Sequence, residues 1–132
     1  MLARDEAAIL VYENRPKNGW LIDSGATSHY TGDRSIFTSF TPVTKSLEDV
    51  GGSLMITGRG NATIRLSNGS TAKLSGVLMV PGMTTNLLST QVLRVDCGIT
   101  NREELHGYEF YKNGRLVAKG THYGKTSYLT WI

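Results

Sequence analysis

The chain has 132 residues, a formal net charge of +3, 39% hydrophobic residues, 15 glycines, three prolines and one cysteine. This length corresponds to one small domain, and the composition is typical of a turn-rich β fold. Scattered basic residues, a single cysteine and the lack of a long apolar run argue against dedicated nucleic-acid binding, an internal disulfide and membrane insertion, and favour a reducing cytoplasmic compartment.

The first part of the chain carries no motif that can be matched. Residues 7–12 read AAILVY and predict a strand, although the acidic residues before them are also compatible with a helical turn. Residues 13–19 are polar and predict a loop. The apolar run at 20–22 then predicts a buried strand that ends at Asp23 and places this residue in a partly desolvated environment.

Asp23 is followed at once by Ser24, Gly25, Ala26 and Thr27. Gly25 allows a sharp turn and the close approach of another backbone or a substrate. The hydroxyls of Ser24 and Thr27 can bond the carboxylate or the neighbouring backbone and hold the turn rigid. The segment is similar to the active-site loop of aspartic proteases, but by itself it is also compatible with an ordinary Asx-turn after a strand.

Beyond this loop the chain reads as short strands joined by turns. Residues 31–40 predict a loop or a short helical turn. Residues 62–66 and 71–80 alternate with period two around Asn68-Gly69, which predicts a hairpin because both positions tolerate positive φ.

The C-terminal half predicts one helix and a second hairpin. Residues 86–95 carry apolar side chains at the spacing of one helix face, with Asn86 as a plausible cap. Residues 108–112 and 115–119 flank Asn113-Gly114 and predict a hairpin, and residues 126–132 predict a last strand. The sequence therefore predicts an all-β fold with one short helix.

Two segments together carry a family resemblance. Residues 20–33 read WLIDSGATSHYTGD, and residues 80–89 read VPGMTTNLLS. This pair strongly resembles the protease region of copia-type retrotransposon polyproteins, and the similarity runs from about residue 20 to residue 129. It implies a retropepsin-like acid protease protomer with a C-terminal β-hairpin extension, Asp23 as the catalytic group and no cofactor or metal. It also implies a core that supports the Asp23 loop, formed by Leu87, Leu88 and Ser89.

The chain holds one Asp-containing loop, whereas pepsin-like enzymes have two lobes with one loop each. A lone carboxylate cannot both activate water and protonate a leaving amine, but two carboxyls that share a proton can. We therefore expect a homodimer with one Asp23 per protomer, which cuts its own polyprotein and binds the substrate as an extended strand. We expect it in the cytoplasm, including the interior of virus-like particles.

The expected organisation is an N-terminal segment at 1–19, a protease core at 20–97 and a C-terminal β extension of the same domain at 98–132. A retroviral-type order of elements also places a substrate-covering flap between residues 40 and 60. Its strands would be 43–49 and 54–57, and glycines at its tip would let the backbone lie directly on a peptide and permit opening. The tip consists of Val50, Gly51, Gly52 and Ser53. The Asn68-Gly69 hairpin is the alternative position for the flap. The non-functional interpretation of Gly51-Gly52 is a flexible loop.

Other functions remain open at this stage. His29 could suggest a serine hydrolase with Ser24 or Ser28, but the chain has no Gly-x-Ser-x-Gly elbow. The spacings of the three histidines, Asp96 and Cys97 match no zinc pattern. The main alternative to the protease is a catalytically inactive module of the same fold that serves dimerisation or binding, and the third is a nucleic-acid-associated structural segment of the polyprotein.

Overall fold

Strands dominate the computed structural model, which describes residues 15–49, 52–66 and 68–132. The predicted all-β class with one short helix is confirmed, and residues 34–36 add a single turn of 3-10 helix. The predicted strand at 7–12 lies outside the described residues. The elements are β1 Trp20–Asp23, β2 His29–Thr31, β3 Thr41–Asp49, β4 Gly52–Arg65, β5 Thr71–Met79, β6 Asn86–Ser89, α1 Thr90–Cys97, β7 Thr100–Glu104, β8 Gly107–Lys112, β9 Arg115–Tyr123 and β10 Thr126–Trp131.

The described strands join one sheet in the order β3-β4-β5-β2-β6-β1-β10-β9-β8-β7. Strand β1 lies inside this sheet, parallel to β6 and antiparallel to β10. Strand β2 is parallel to β5 and antiparallel to β6. Because hydrogen-bonded neighbours flank β1 on both sides, the strand that ends at Asp23 is held in place from two directions.

The apolar core accounts for Trp20 and Ile22 in the run at 20–22, whereas Leu21 belongs to neither apolar cluster. Trp20 is buried in a cluster with Val77, Leu88, Phe110 and Leu129, and these five residues come from five different strands. A second cluster consists of Ala26, Tyr30, Ile56 and Val80, and Leu87 packs against it. Burial of these side chains supplies the main stabilisation of the sheet at about 25 cal/mol per Å² of apolar surface.

Both predicted hairpins are present. Strands β4 and β5 pair antiparallel on either side of the Asn68-Gly69 turn, and Gly69 has a φ of 85°. Strands β8 and β9 pair in the same way, with φ values of 52° at Asn113 and 75° at Gly114. Gly69, Asn113 and Gly114 adopt left-handed conformations that Asn and Gly reach at low cost. Asn68 does not take the expected positive φ, and its Oδ1 instead accepts the Ser70 N–H within the turn.

The prediction of a helix over residues 86–95 is wrong in its first turn. Asn86–Ser89 forms strand β6, and the helix runs from Thr90 to Cys97 with Ser89 as its N-cap. The predicted cap, Asn86, instead donates to the Asn18 carbonyl and accepts a bond from Thr31. Residues 86–89 extend because β1 and β2 offer backbone partners on both sides, and these tertiary hydrogen bonds override the local helical pattern.

Two strands had no signal in the sequence. Strand β2 is three residues long and precedes the predicted loop at 31–40, which it overlaps only at Thr31. Strand β7 is exposed at all five positions, so its side chains show no alternation between apolar and polar. Its pairing with β8 alone defines it as a strand.

Candidate active site

Asp23 ends β1 and is directly followed by a tight turn at the surface. Its Oδ1 accepts the Gly25 N–H at 2.8 Å, and its carbonyl oxygen accepts the Ala26 N–H at 3.4 Å. Asp23 is half-buried, Ser24, Gly25 and Thr27 are exposed, and Ala26 is buried. The segment is thus an Asx-turn that presents a carboxylate at the end of an interior strand.

The carboxylate of Asp23 has no ion pair within the described part of the chain, where the salt bridges involve other residues. Gly25 leaves room for this group, since a Cβ at that position would lie 3.3 Å from Asp23 Oδ1. A side chain at position 25 would therefore crowd the oxygen that accepts the Gly25 N–H. The small residues keep the carboxylate accessible and bound to the backbone of its own turn.

Ser89 supports the Asp23 turn from behind. Ser89 pairs with Asp23 between the parallel strands β1 and β6. Its buried Oγ donates to the carbonyl of Ala26 at 2.6 Å and accepts the Val92 N–H at 3.1 Å. One hydroxyl therefore satisfies a carbonyl of the loop and a free N–H at the start of α1.

The other two residues of the expected supporting core lie next to Ser89 in β6. Leu88 is 1% exposed and is the strand partner of Ile22, whereas Leu87 is only half-buried and is the partner of Leu21. Both are therefore neighbours of the strand that carries Asp23. Leu88 belongs to the larger apolar cluster and Leu87 to the smaller one.

Gln91 also holds the loop, and sequence reasoning missed this contact. Its Nε2 donates to the carbonyl of Ser24 at 2.8 Å. The available signal was a polar side chain directly before Val92, inside the apolar pattern of residues 86–95. An amide in that position favours a specific hydrogen bond over burial.

His29 is buried beneath the loop and accepts a backbone hydrogen bond. Its Nδ1 accepts the Ser89 N–H at 2.9 Å. Burial lowers the pKa of His29 to about 4, and the negative charge of Asp96 opposes this shift. Because Nδ1 accepts an amide N–H, the proton of the neutral ring lies on Nε2, the nitrogen that would have to take the nucleophile's proton in a serine hydrolase, and this argues against a Ser-His arrangement here.

A groove of about 750 Å³ opens beside Asp23 toward the C-terminal strands. His122 lies in its wall, with Nδ1 2.5 Å from Ser127 Oγ and Nε2 3.1 Å from the carbonyl of Glu104 and 3.5 Å from the Glu103 carboxylate. Tyr108 lies in the same wall, and burial together with Glu103 raises its pKa. Sequence reasoning assigned no role to these residues, which come together only because β7 to β10 fold beside β1.

The expected flap falls on the β3–β4 hairpin. In this hairpin Asp49 is the partner of Gly52, and Glu48 is the partner of Ser53. Val50 and Gly51, which connect the two strands, lie outside the described residues. Gly52 and Ser53 belong to strand β4, which is longer than predicted and continues into the hairpin with β5.

The described residues contain no group of three or more His, Cys, Asp or Glu side chains arranged to hold a metal ion. They also contain no helix that is both long and apolar enough to cross a membrane.

The fold and this loop define an all-β domain built around a strand with a terminal carboxylate. Residues 20–99 match the family described as the beta-barrel domain of Pol polyproteins. This match covers more than half of the chain, so the chain belongs to that family. It is a region of a retrotransposon Pol polyprotein, as the two sequence segments indicated.

Two relatives share the transposon origin. The chain is 42% identical over 72 residues to the transposon Ty5-1 protein YCL075W of Saccharomyces cerevisiae, which covers 53% of this chain and 46% of that protein. It is 40% identical over 76 residues to the retrovirus-related Pol polyprotein from transposon RE2 of Arabidopsis thaliana, which covers 54% of this chain and 5% of that polyprotein. The chain thus spans less than half the length of either relative. No solved structure matches it.

Proposed function

We propose that this chain is an aspartic endopeptidase that processes the polyprotein to which it belongs and acts as a homodimer. The observation that carries the proposal is the placement of Asp23. Its carboxylate ends an interior strand, is half-exposed, and lies on a turn of small residues that two neighbouring elements brace. Such a rigid and accessible carboxylate is what general acid-base catalysis requires.

The same loop explains why a second copy is needed. Ser24, Gly25 and Thr27 are exposed and small, so an identical loop can approach closely about a twofold axis. Two Asp23 carboxyls about 3 Å apart cannot both ionise, so they share one proton and titrate as a coupled pair. This pair supplies the base and the acid that a single protomer lacks.

The reaction follows from the shared proton. The ionised Asp23 takes a proton from a water molecule held between the carboxyls, while the protonated Asp23 of the other protomer donates to the scissile carbonyl oxygen. The water oxygen forms a bond to the carbonyl carbon and gives a tetrahedral diol. A proton then passes to the nitrogen, the C–N bond breaks, and an acid and an amine are released.

Substrate binding is assigned to the β3–β4 hairpin as well as to the floor formed by the Asp23 loop. An extended peptide between them would pair with backbone groups of the hairpin tip, Val50 to Ser53. The glycines of the tip suit this role, because they allow close backbone contact and opening. A catalytically inactive dimerisation or binding module is the alternative function.

The decisive experiment compares the whole chain with its Asp23→Asn variant on an unbiased peptide library between pH 4 and 7. We expect cleavage by the native chain, a specific activity that rises with protein concentration, and a loss of at least about 100-fold in the variant. Asp33→Asn, at the exposed N-cap of the 3-10 helix, where Asn can also accept the capping hydrogen bond, is the matched control and should keep its activity. Equal melting temperatures would show that Asp23→Asn leaves the fold intact.

Two results would contradict the proposal. Cleavage by Asp23→Asn above roughly one per cent of the native rate would remove Asp23 from the reaction, given the value of such catalysis. A chain that sediments as a dimer but cleaves no peptide would instead favour the inactive module.

A further inference from the structure

His29 is a buried ionisable side chain that the proposed reaction does not use. It opens β2, is 1% exposed, and accepts the Ser89 N–H through Nδ1. A nitrogen that accepts a hydrogen bond carries no proton, so this geometry requires the neutral ring with its proton on Nε2. If Nδ1 became protonated, its N–H would face the Ser89 N–H, and the hydrogen bond between them would be lost.

Ser89 links this ring to Asp23 by two routes. Its backbone is the partner of Asp23 across the parallel strands, and its hydroxyl bonds the carbonyl of Ala26, three residues after Asp23. A shift of the Ser89 amide away from His29 would therefore move both the strand neighbour and the loop anchor of Asp23. The path from ring to carboxylate consists of one strand pairing and two hydrogen bonds.

We infer that His29 is a positioning residue for Asp23: its neutral imidazole fixes Ser89, and Ser89 in turn fixes the turn that carries the carboxylate. In its catalytic consequence this inference rests on the proposed function, because Asp23 is the reacting group only there. Its structural consequence, a loop that changes when His29 takes up a proton, is independent of any reaction.

The charges around the ring set the pH at which this happens. Burial holds the pKa of His29 down to about 4, and Asp96 on α1 acts in the opposite direction. Within the described residues, Asp96 is the charged group whose field reaches the ring. The neutral form therefore persists through mildly acidic pH, and the loop loses its support as the pH approaches 4.

The structural consequence is tested by NMR on the full chain carrying Asp23→Asn, which removes both cleavage and the titration of residue 23. We expect the Gly25 and Ala26 amide shifts to follow the titration of the His29 ring carbon. This pH-dependent change of the amide shifts should disappear when His29→Asn is added, since Asn offers an acceptor oxygen that does not ionise.

Three results of this titration would overturn the inference. These are loop amides that ignore the ring titration, a pH-dependent change that persists in the double variant, and a change that spreads equally to the Gly69 amide at the β4–β5 turn, which lies outside the groove beside Asp23. The last result would report global unfolding instead of a local response.

The catalytic consequence is tested with two substitutions at position 29 and a matched histidine control. His29→Leu lacks an acceptor, and we expect kcat to fall about tenfold or more with little change in KM, because the carboxylate is misplaced and substrate contacts are not. His29→Asn should restore kcat and move the acid limb of the pH profile to lower pH. His106→Asn, at an exposed histidine, should behave like the native chain.

Equal losses in His29→Leu and His29→Asn, or an acid limb that does not move, would refute the positioning role. Absence of cleavage by the native chain at any pH would refute the proposed function instead. The NMR titration would then decide the role of His29 without it.

Discussion

The hydroxyl of Ser89 donates a 2.6 Å hydrogen bond to the carbonyl of Ala26, although the two residues are 63 positions apart. The same oxygen accepts the Val92 N–H and so caps helix α1. One buried side chain thus joins the start of the helix to the turn that presents Asp23. The loop is therefore held by a contact from outside the turn as well as by the hydrogen bonds within it.

Ser89→Ala should lower the free energy of unfolding by about 1–3 kcal/mol. The variant leaves the buried Ala26 carbonyl without its donor and removes the N-cap of α1. Urea unfolding measures the change. Ser46→Ala, an exposed serine of β3, is the control and should stay within about 0.5 kcal/mol. Equal stabilities of the two variants would show that the Ser89 bond contributes nothing net.

Leu88→Asp should prevent folding, whereas Leu87→Asp should give a folded but less stable chain. Leu88 is 1% exposed, so the new carboxylate would be buried without a partner, at a cost of several kcal/mol. Leu87 is half-buried and can turn a charge toward water. Circular dichroism and thermal melting of the soluble fraction distinguish them. A Leu88→Asp variant that melts like the native chain would be incompatible with this core.

Gly60→Ala should destabilise the chain more than Gly69→Ala does. A Cβ at position 60 would lie 1.8 Å from the carbonyl oxygen of Ser39, so the backbone must shift, which costs about 1–3 kcal/mol. A Cβ at position 69 would meet no atom within 4 Å, and only the φ of 85° opposes it, at about 1–2 kcal/mol. Thermal melting compares the two. A reversed order would disprove the close approach of residues 39 and 60.

Stability should fall as the pH is lowered from about 6.5 to about 4. The pKa of His29 is about 4 in the fold and returns to 6.5 on unfolding, so the unfolded chain binds more protons in this window. By linkage, the contribution of His29 to the free energy of unfolding is fully present above pH 6.5. It is lost as the pH falls toward about 4, and the loss amounts to roughly 3 kcal/mol. Urea unfolding across the window measures it. His29→Asn should flatten the curve and His106→Asn should not; a curve unchanged by His29→Asn would assign the loss to other groups.

Turn chemistry made much of the fold predictable from the sequence. Asn68-Gly69 and Asn113-Gly114 force their hairpins through their own backbone preferences, so neighbouring residues suffice to identify them. Residues 86–89 could not be assigned in this way. Their apolar pattern fits a helix or a strand, and the choice depends on pairing with β1, more than 60 positions away.

The same distinction applies to the site. Asp23 and the turn after it are contiguous, so the sequence alone identified them as the candidate loop. The supports of that loop are not contiguous: His29 reaches Ser89 and Gln91 reaches Ser24 across 60 and 67 positions. Such contacts follow from the packing of β2, β6 and α1, and no local pattern encodes them.

The interior place of β1 also sets an order of events during synthesis. Its partner on one side, β10, is translated roughly 100 residues after it, and such distant pairing is slow to form. Until Thr126–Trp131 has left the ribosome, one edge of β1 keeps its amide and carbonyl groups without that partner. The strand that presents Asp23 is therefore completed late, and a nascent polyprotein would acquire this carboxylate in its final setting only after the downstream strands had emerged.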